Sequence, residues 1–76
     1  MNPSDILLEA LTSPNPHYIP GHDTARIDAA EALINTEHHD SAVQFLQDVA
    51  AGKSLVVGWT LRVRAARILL ARGLSL

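Results

Sequence analysis

The amino-acid sequence predicts an all-α protein of four helices, and three observations predict it. Apolar residues make up 47% of the 76 positions. Among them Met1, Tyr18, Phe45 and Trp59 are the only Met or aromatic side chains, so Ala, Leu, Val and Ile must supply the burial. That is helix-packing chemistry, because Ala lets backbones approach and Leu fills the space between them. The second observation is that each apolar segment has helical spacing and recognisable caps. The third is an internal correspondence at a spacing of 36 residues.

The first helix follows from Asn2 as cap and Pro3 at the first helical position, with Ile6, Leu7, Leu8, Ala10 and Leu11 as its apolar side, ending before Pro14. Residues 13–22 hold the breakers Pro14, Pro16, Pro20 and Gly21 and are expected as a loop. Asp23 is expected to cap a second helix over residues 24–36, with Ile27, Ala29, Ala30, Leu33 and Ile34 on its packed side. After a polar turn, Ser41 with Gln44 reads as a capping box opening a third helix that runs to Ala51 and stops at Gly52. The last helix starts between Ser54 and Thr60 and ends at Arg72, with Gly73 as a left-handed cap and Leu74 folding back.

Length and composition bound the rest. A chain of 76 residues forms one domain, 1–76, and buries only about 60% of its unfolded surface, so its core must be well packed or shared with a partner. With no cysteine, neither disulfides nor thiolate zinc can brace it. The N-terminus carries no basic segment ahead of an apolar run. The longest apolar stretch, Leu55 to Leu70, is interrupted by Arg62, Arg64 and Arg67, each costly at bilayer depth. The expected location is cytoplasmic, away from membranes.

The net charge of −2 is unevenly spread. Residues 1–52 hold all eight acidic side chains against Arg26 alone, net −7. Residues 53–76 hold Lys53, Arg62, Arg64, Arg67 and Arg72 with no acid, net +5. Such a split suits either a nucleic-acid footprint or two halves that complement each other.

The internal correspondence aligns residues 24–34 on residues 60–70 without gaps, sharing Thr-x-Arg-[Ile/Val]-x-Ala-Ala-x-x-Leu-[Ile/Leu]. A weaker echo sets Leu7, Leu8 and Leu11 against Phe45, Leu46 and Val49. Asp23 stands just ahead of the first Arg, and Ala42-Val43-Gln44-Phe45-Leu46 follows downstream. On these residues the chain resembles the HEAT-type αα-repeat over residues 4–72. Gly58 and Trp59 stand where the second unit lacks the upstream Asp. The resemblance implies a short array of helix pairs and protein binding rather than catalysis; a compact four-helix bundle is the alternative architecture.

Arg26 and Arg62 fall towards the packed sides of their helices. Each could contact a ligand anion, or bury its stem and pair with an acid or a carbonyl. Because a buried unpaired charge costs several kcal/mol, structural pairing is expected, with Asp23, Asp40 and Asp48 as partners. On the outward side, Asp28 and Glu31 occupy the wheel positions that Arg64 and Arg67 occupy in the last helix. If the two helices lie side by side, acid meets base, within one molecule or head to tail between two; the expectation is that these are simply solvated faces, each contributing little.

No catalytic residue, metal site or cofactor is predicted. His17 and His22 are separated from His38 and His39 by a helix of about 20 Å, too far for one centre of four ligands. The serines lie at caps and loops without a nucleophile elbow, and Gly52-Lys53-Ser54 lacks the upstream glycine of a phosphate loop.

Two functions follow. One is a helical protein-interaction module, an adaptor or inhibitor of the kind that suits a bacterial or phage accessory protein. Its partner-binding candidates are Trp59, Leu61, Arg64, Arg67 and Ile68. The other is a DNA-binding accessory protein using the basic last helix, although helix three, as recognition helix, would carry Asp48 and no Lys or Arg. Because two units leave an array end uncovered, the side of the last helix bearing Leu61 and Ile68 is expected to be open, closed by a two-fold homodimer.

Overall fold

Asn2 adopts an extended conformation and its side chain accepts the backbone N–H of Ser4 at 3.0 Å, opening α1 (Pro3–Thr12) as expected. The computed structural model describes residues 2–54, 56 and 58–76; Met1, Leu55 and Val57, counted among the apolar residues above, lie outside them. Among the described residues there are four helices and no strand. The chain leaves α1 through a loop braced by Asn15, whose Oδ1 accepts from Ile19 N at 2.8 Å and whose Nδ2 donates to Asp23 Oδ2 at 3.4 Å.

Helix α2 (His22–Leu33) starts two residues before the expected Thr24, because Gly21 takes a left-handed φ of 82° and turns the chain directly into the helix. Asp23 therefore sits in the first turn instead of at the cap. The helix also stops short of Thr36, which instead closes it: the Thr36 hydroxyl donates to Leu33 O at 2.7 Å and accepts from His38 N at 3.1 Å. That tight turn opens α3 (His39–Ala51) two residues before Ser41, so the capping box does not form, and Gln44 donates to Asp48 instead.

The ends of α3 and α4 (Trp59–Ala71) follow the expected pattern. Gly52 and Gly73 have φ of 76° and 69°. Beyond them Lys53 N donates to Asp48 O at 2.8 Å and Leu74 N to Leu69 O at 2.9 Å, which satisfies carbonyls otherwise left free. Leu74 folds back against the core.

The helices pack as two hairpins, α1 on α2 and α3 on α4, joined mainly through α2 and α3, with α2 also running alongside α4. The result is a slab of 32 × 32 × 16 Å. One core, built on Leu11, Ile27, Ala30, Leu33, Leu46, Val49, Ala65 and Leu69, runs through both hairpins. No helix among the described residues is long and apolar enough to cross a membrane.

Candidate interaction surface

The two matched arginines make the same kind of contact. Arg26 Nε donates to Leu11 O at 3.0 Å, at the end of α1. Arg62 Nε donates to Ala50 O at 3.2 Å, at the end of α3. Each cation thus meets the free carbonyls and the negative dipole end of the helix preceding its own. Each also stacks on an aromatic ring, Arg26 over Phe45 at 4.9 Å and Arg62 over Trp59 at 4.1 Å from the ring centroids. Asp23 pairs with Arg26 at 3.4 Å, as expected. Asp40 does not take the structural pairing role: it lies exposed in the first turn of α3 and makes no ion pair among the described residues. The early start of α3 puts its charge at a helix N-terminus in solvent, where the dipole favours it.

Along the outer side of α2 and α4, Arg64 binds Asp28 with two nitrogens, Nε at 3.2 Å and Nη2 at 3.0 Å from Oδ1. These faces, expected as simply solvated, are thus joined by an acid–base pair within one molecule, the less favoured of the two readings. Arg67 and Glu31 line the same outer groove, and neither forms an ion pair among the described residues.

The open side of α4 is not the one expected. Leu61 packs against the core, and Ile68 is 8% exposed. Ile68 lines the groove with Asp28 and Glu31 of α2, which runs beside α4. The exposed apolar residues are Trp59 (72%), Val63 (49%) and Leu70 (80%), with Ala66 between them. Their spacing of four, three and four residues makes a single stripe along one helix face. Counted back by 36 positions, Val63, Ala66 and Leu70 correspond to Ile27, Ala30 and Ile34 of α2, all buried. Arg62 and Arg67 flank the stripe.

The histidines divide differently from the sequence reading. His22 and His39 donate to backbone carbonyls, His22 Nε2 to Ser13 O at 3.2 Å and His39 Nδ1 to Ile34 O at 2.6 Å. His38 Nε2 is shielded, without a hydrogen-bond partner among the described residues, 3.5 Å from Asp5 Oδ1 and 3.6 Å from Glu37 Oε1. Glu37 in turn accepts Ser4 Oγ at 2.8 Å. Its carboxyl is held below the ordinary 4.5 by a backbone hydrogen bond, by Ser4 and by the neighbouring His38. This group ties the start of α1 to the α2–α3 turn. Its three ligand atoms lie within 4.8 Å of one another, so these are the residues whose spacing could admit a cation among those described. Both carboxylates are more than half exposed, which suits a solvated clasp. Sequence spacing gave no signal for it, since Asp5 is 33 positions from His38. No protein-family model, curated protein or solved structure matches this chain.

Proposed function

We propose that this chain is a small cytoplasmic protein-interaction module, built as two HEAT-like αα-units, whose α4 face receives a protein partner. One observation carries the reading. Val63, Ala66 and Leu70 stand exposed on α4 where Ile27, Ala30 and Ile34 of α2 are buried in the core shared by the two hairpins. A repeat unit hides that face against its neighbour, so the terminal unit presents it to whatever docks there. Trp59 at the edge supplies an aromatic of the type that anchors interfaces. The matching contacts of Arg26 and Arg62 to the ends of α1 and α3 support the same two-unit architecture.

The DNA-binding alternative loses support from the same geometry. Arg64 is neutralised by Asp28, and Arg62 is committed to Ala50 O and Trp59. That leaves Arg67 on α4 and Arg72 at its C-terminal cap for phosphates, few for a sequence-independent grip. A photo-crosslinking residue at position 63, 66 or 70, in cells that make the protein, should capture protein, whereas one at the exposed Ser41 of α3 should not. Absence of protein crosslinks from α4, together with a salt-sensitive mobility shift of DNA, would replace this reading with the alternative.

A further inference from the structure

We propose that the partner on α4 is a second copy of this chain, bound head to tail, with the α4 stripe of one molecule against the α1–α2 hairpin of the next. The proposal rests on the two-unit reading above and gives the docking face its occupant.

The junction inside the molecule supplies the geometry. The ion pair joins Asp28 to the residue 36 positions later, Arg64, so α2 and α4 lie in matching register. Repeating that step once more carries α4 onto α2 of a second molecule. Arg64 and Arg67 then approach the partner subunit's Asp28 and the partner subunit's Glu31. Arg67 and Glu31 line the groove between α2 and α4 and neither forms an ion pair among the described residues, so each copy keeps a free cation on α4 and a free anion on α2 for a neighbouring molecule. The same complementarity appears in the whole sequence, net −7 over residues 1–52 and +5 over residues 53–76.

Shape agrees with charge. Ile68 lines the groove with α2 from the α4 side, and Leu61 packs against the core. The α2 residues at the corresponding positions are Ala25 and Ala32, both exposed. A second molecule would therefore offer low relief to the bulky Trp59, Val63 and Leu70.

A two-fold dimer through the same stripe is electrostatically worse. An antiparallel pair centred between Val63 and Ala66 sets Arg62 of each copy beside Arg67 of the other, on both flanks, with no acid on α4 to separate them. Like charges at such positions are destabilising. A head-to-tail contact instead joins two different surfaces, so it leaves one of each free and continues into an open array unless the rotation closes a ring.

That asymmetry gives the test. Leu70→Glu blocks the tail surface and Ala32→Glu the head surface, both at exposed positions, so circular dichroism should remain helical for each. In light scattering after size exclusion, the wild-type mass should rise with concentration past that of a dimer. Either variant alone should stay monomeric. An equimolar mixture should form a one-to-one heterodimer, because each variant keeps the surface the other has lost. Arg67→Glu mixed with Glu31→Arg should likewise assemble where either alone does not. A wild-type monomer at every concentration, or a dimer that does not grow and survives Ala32→Glu, overturns the proposal. Crosslinks from positions 63 and 70 to a different polypeptide overturn it while sustaining the interaction-module reading; crosslinks to no protein overturn both.

Discussion

At the residue scale, Arg26 and Arg62 are placed to stabilise the fold because each guanidinium has more than one commitment. Arg26 joins a helix-end carbonyl, Asp23 and Phe45, with its side chain 16% exposed. Truncation to Ala strands the carbonyl and the carboxylate and removes the stem from the packing. A hydrogen bond to a charged group contributes about 1.5–3 kcal/mol. Arg26→Ala and Arg62→Ala should each lower stability to denaturant by ~1–3 kcal/mol. Arg67→Ala, without an ion pair, should change little, and Arg64→Ala should fall between, since exposed pairs contribute ~0.2–1 kcal/mol. Equal midpoints for all four variants in chemical denaturation would contradict these contacts.

Glu37 gives a pH dependence whose sign is set by its lowered carboxyl. A group held below its ordinary 4.5 in the folded protein contributes stability that is fully present above that value. The contribution is lost as pH falls through the folded value. The unfolding midpoint should therefore decline on acidification below about 4.5, and Glu37→Gln should flatten the decline. An unchanged acid limb in that variant would remove the role of the Ser4–Glu37 contact.

At the element scale, the helix ends show what a chain can and cannot declare in advance. The ends of α3 and α4 were legible because Gly52 and Gly73 are the residues that best occupy a left-handed position, and nothing distant competes for them. The start of α3 was not legible from Ser41, because Thr36 closes α2 early and its hydroxyl takes His38 N into the turn. A capping box is a local motif, and a tertiary turn two residues upstream overrode it. The shared wheel position of Asp28 and Arg64 was readable from helical periodicity and the 36-residue spacing, but not their pairing, since only the packing of α2 beside α4 brings two exposed side chains together. The Asp5–Glu37–His38 clasp was hidden because only the packing of α1 onto α2 brings its members together.

The left-handed glycines that end α3 and α4 also separate backbone strain from crowding. A Cβ at Gly73 meets open space, so Gly73→Ala should cost only the left-handed conformation, ~1–2 kcal/mol. A Cβ at Gly52 would lie 3.1 Å from Arg62 Cζ, so Gly52→Ala should cost more and should displace the Arg62 guanidinium from Ala50 O. A double-mutant cycle with Arg62→Ala should show coupling at Gly52 and none at Gly73. Coupling at both positions, or at neither, would mean that Gly52 is not chosen for the approach of Arg62.

At the scale of the whole molecule, the placement of α4 separates folding from association, and neighbouring residues report the two. A domain of this length is stable by about 4–11 kcal/mol, at ~0.05–0.15 kcal/mol per residue. Ile68 faces α2 and is 8% exposed, so Ile68→Glu would force a carboxylate into the core, at a cost of several kcal/mol that approaches that whole margin. Two positions along, Leu70 is 80% exposed, and Leu70→Glu exchanges solvated hydrocarbon for solvated charge. Circular dichroism should find Ile68→Glu largely unfolded or with a much reduced melting temperature, and Leu70→Glu folded with a melting temperature near that of the wild type at low concentration. Raising the protein concentration should then stabilise the wild type but not Leu70→Glu, because a subunit contact made only by the folded state shifts the equilibrium by mass action. If Ile68→Glu melted like the wild type, α2 could not be covering that side of α4. The face left open would then be the one bearing Leu61 and Ile68, and the head-to-tail register would have to be redrawn around it.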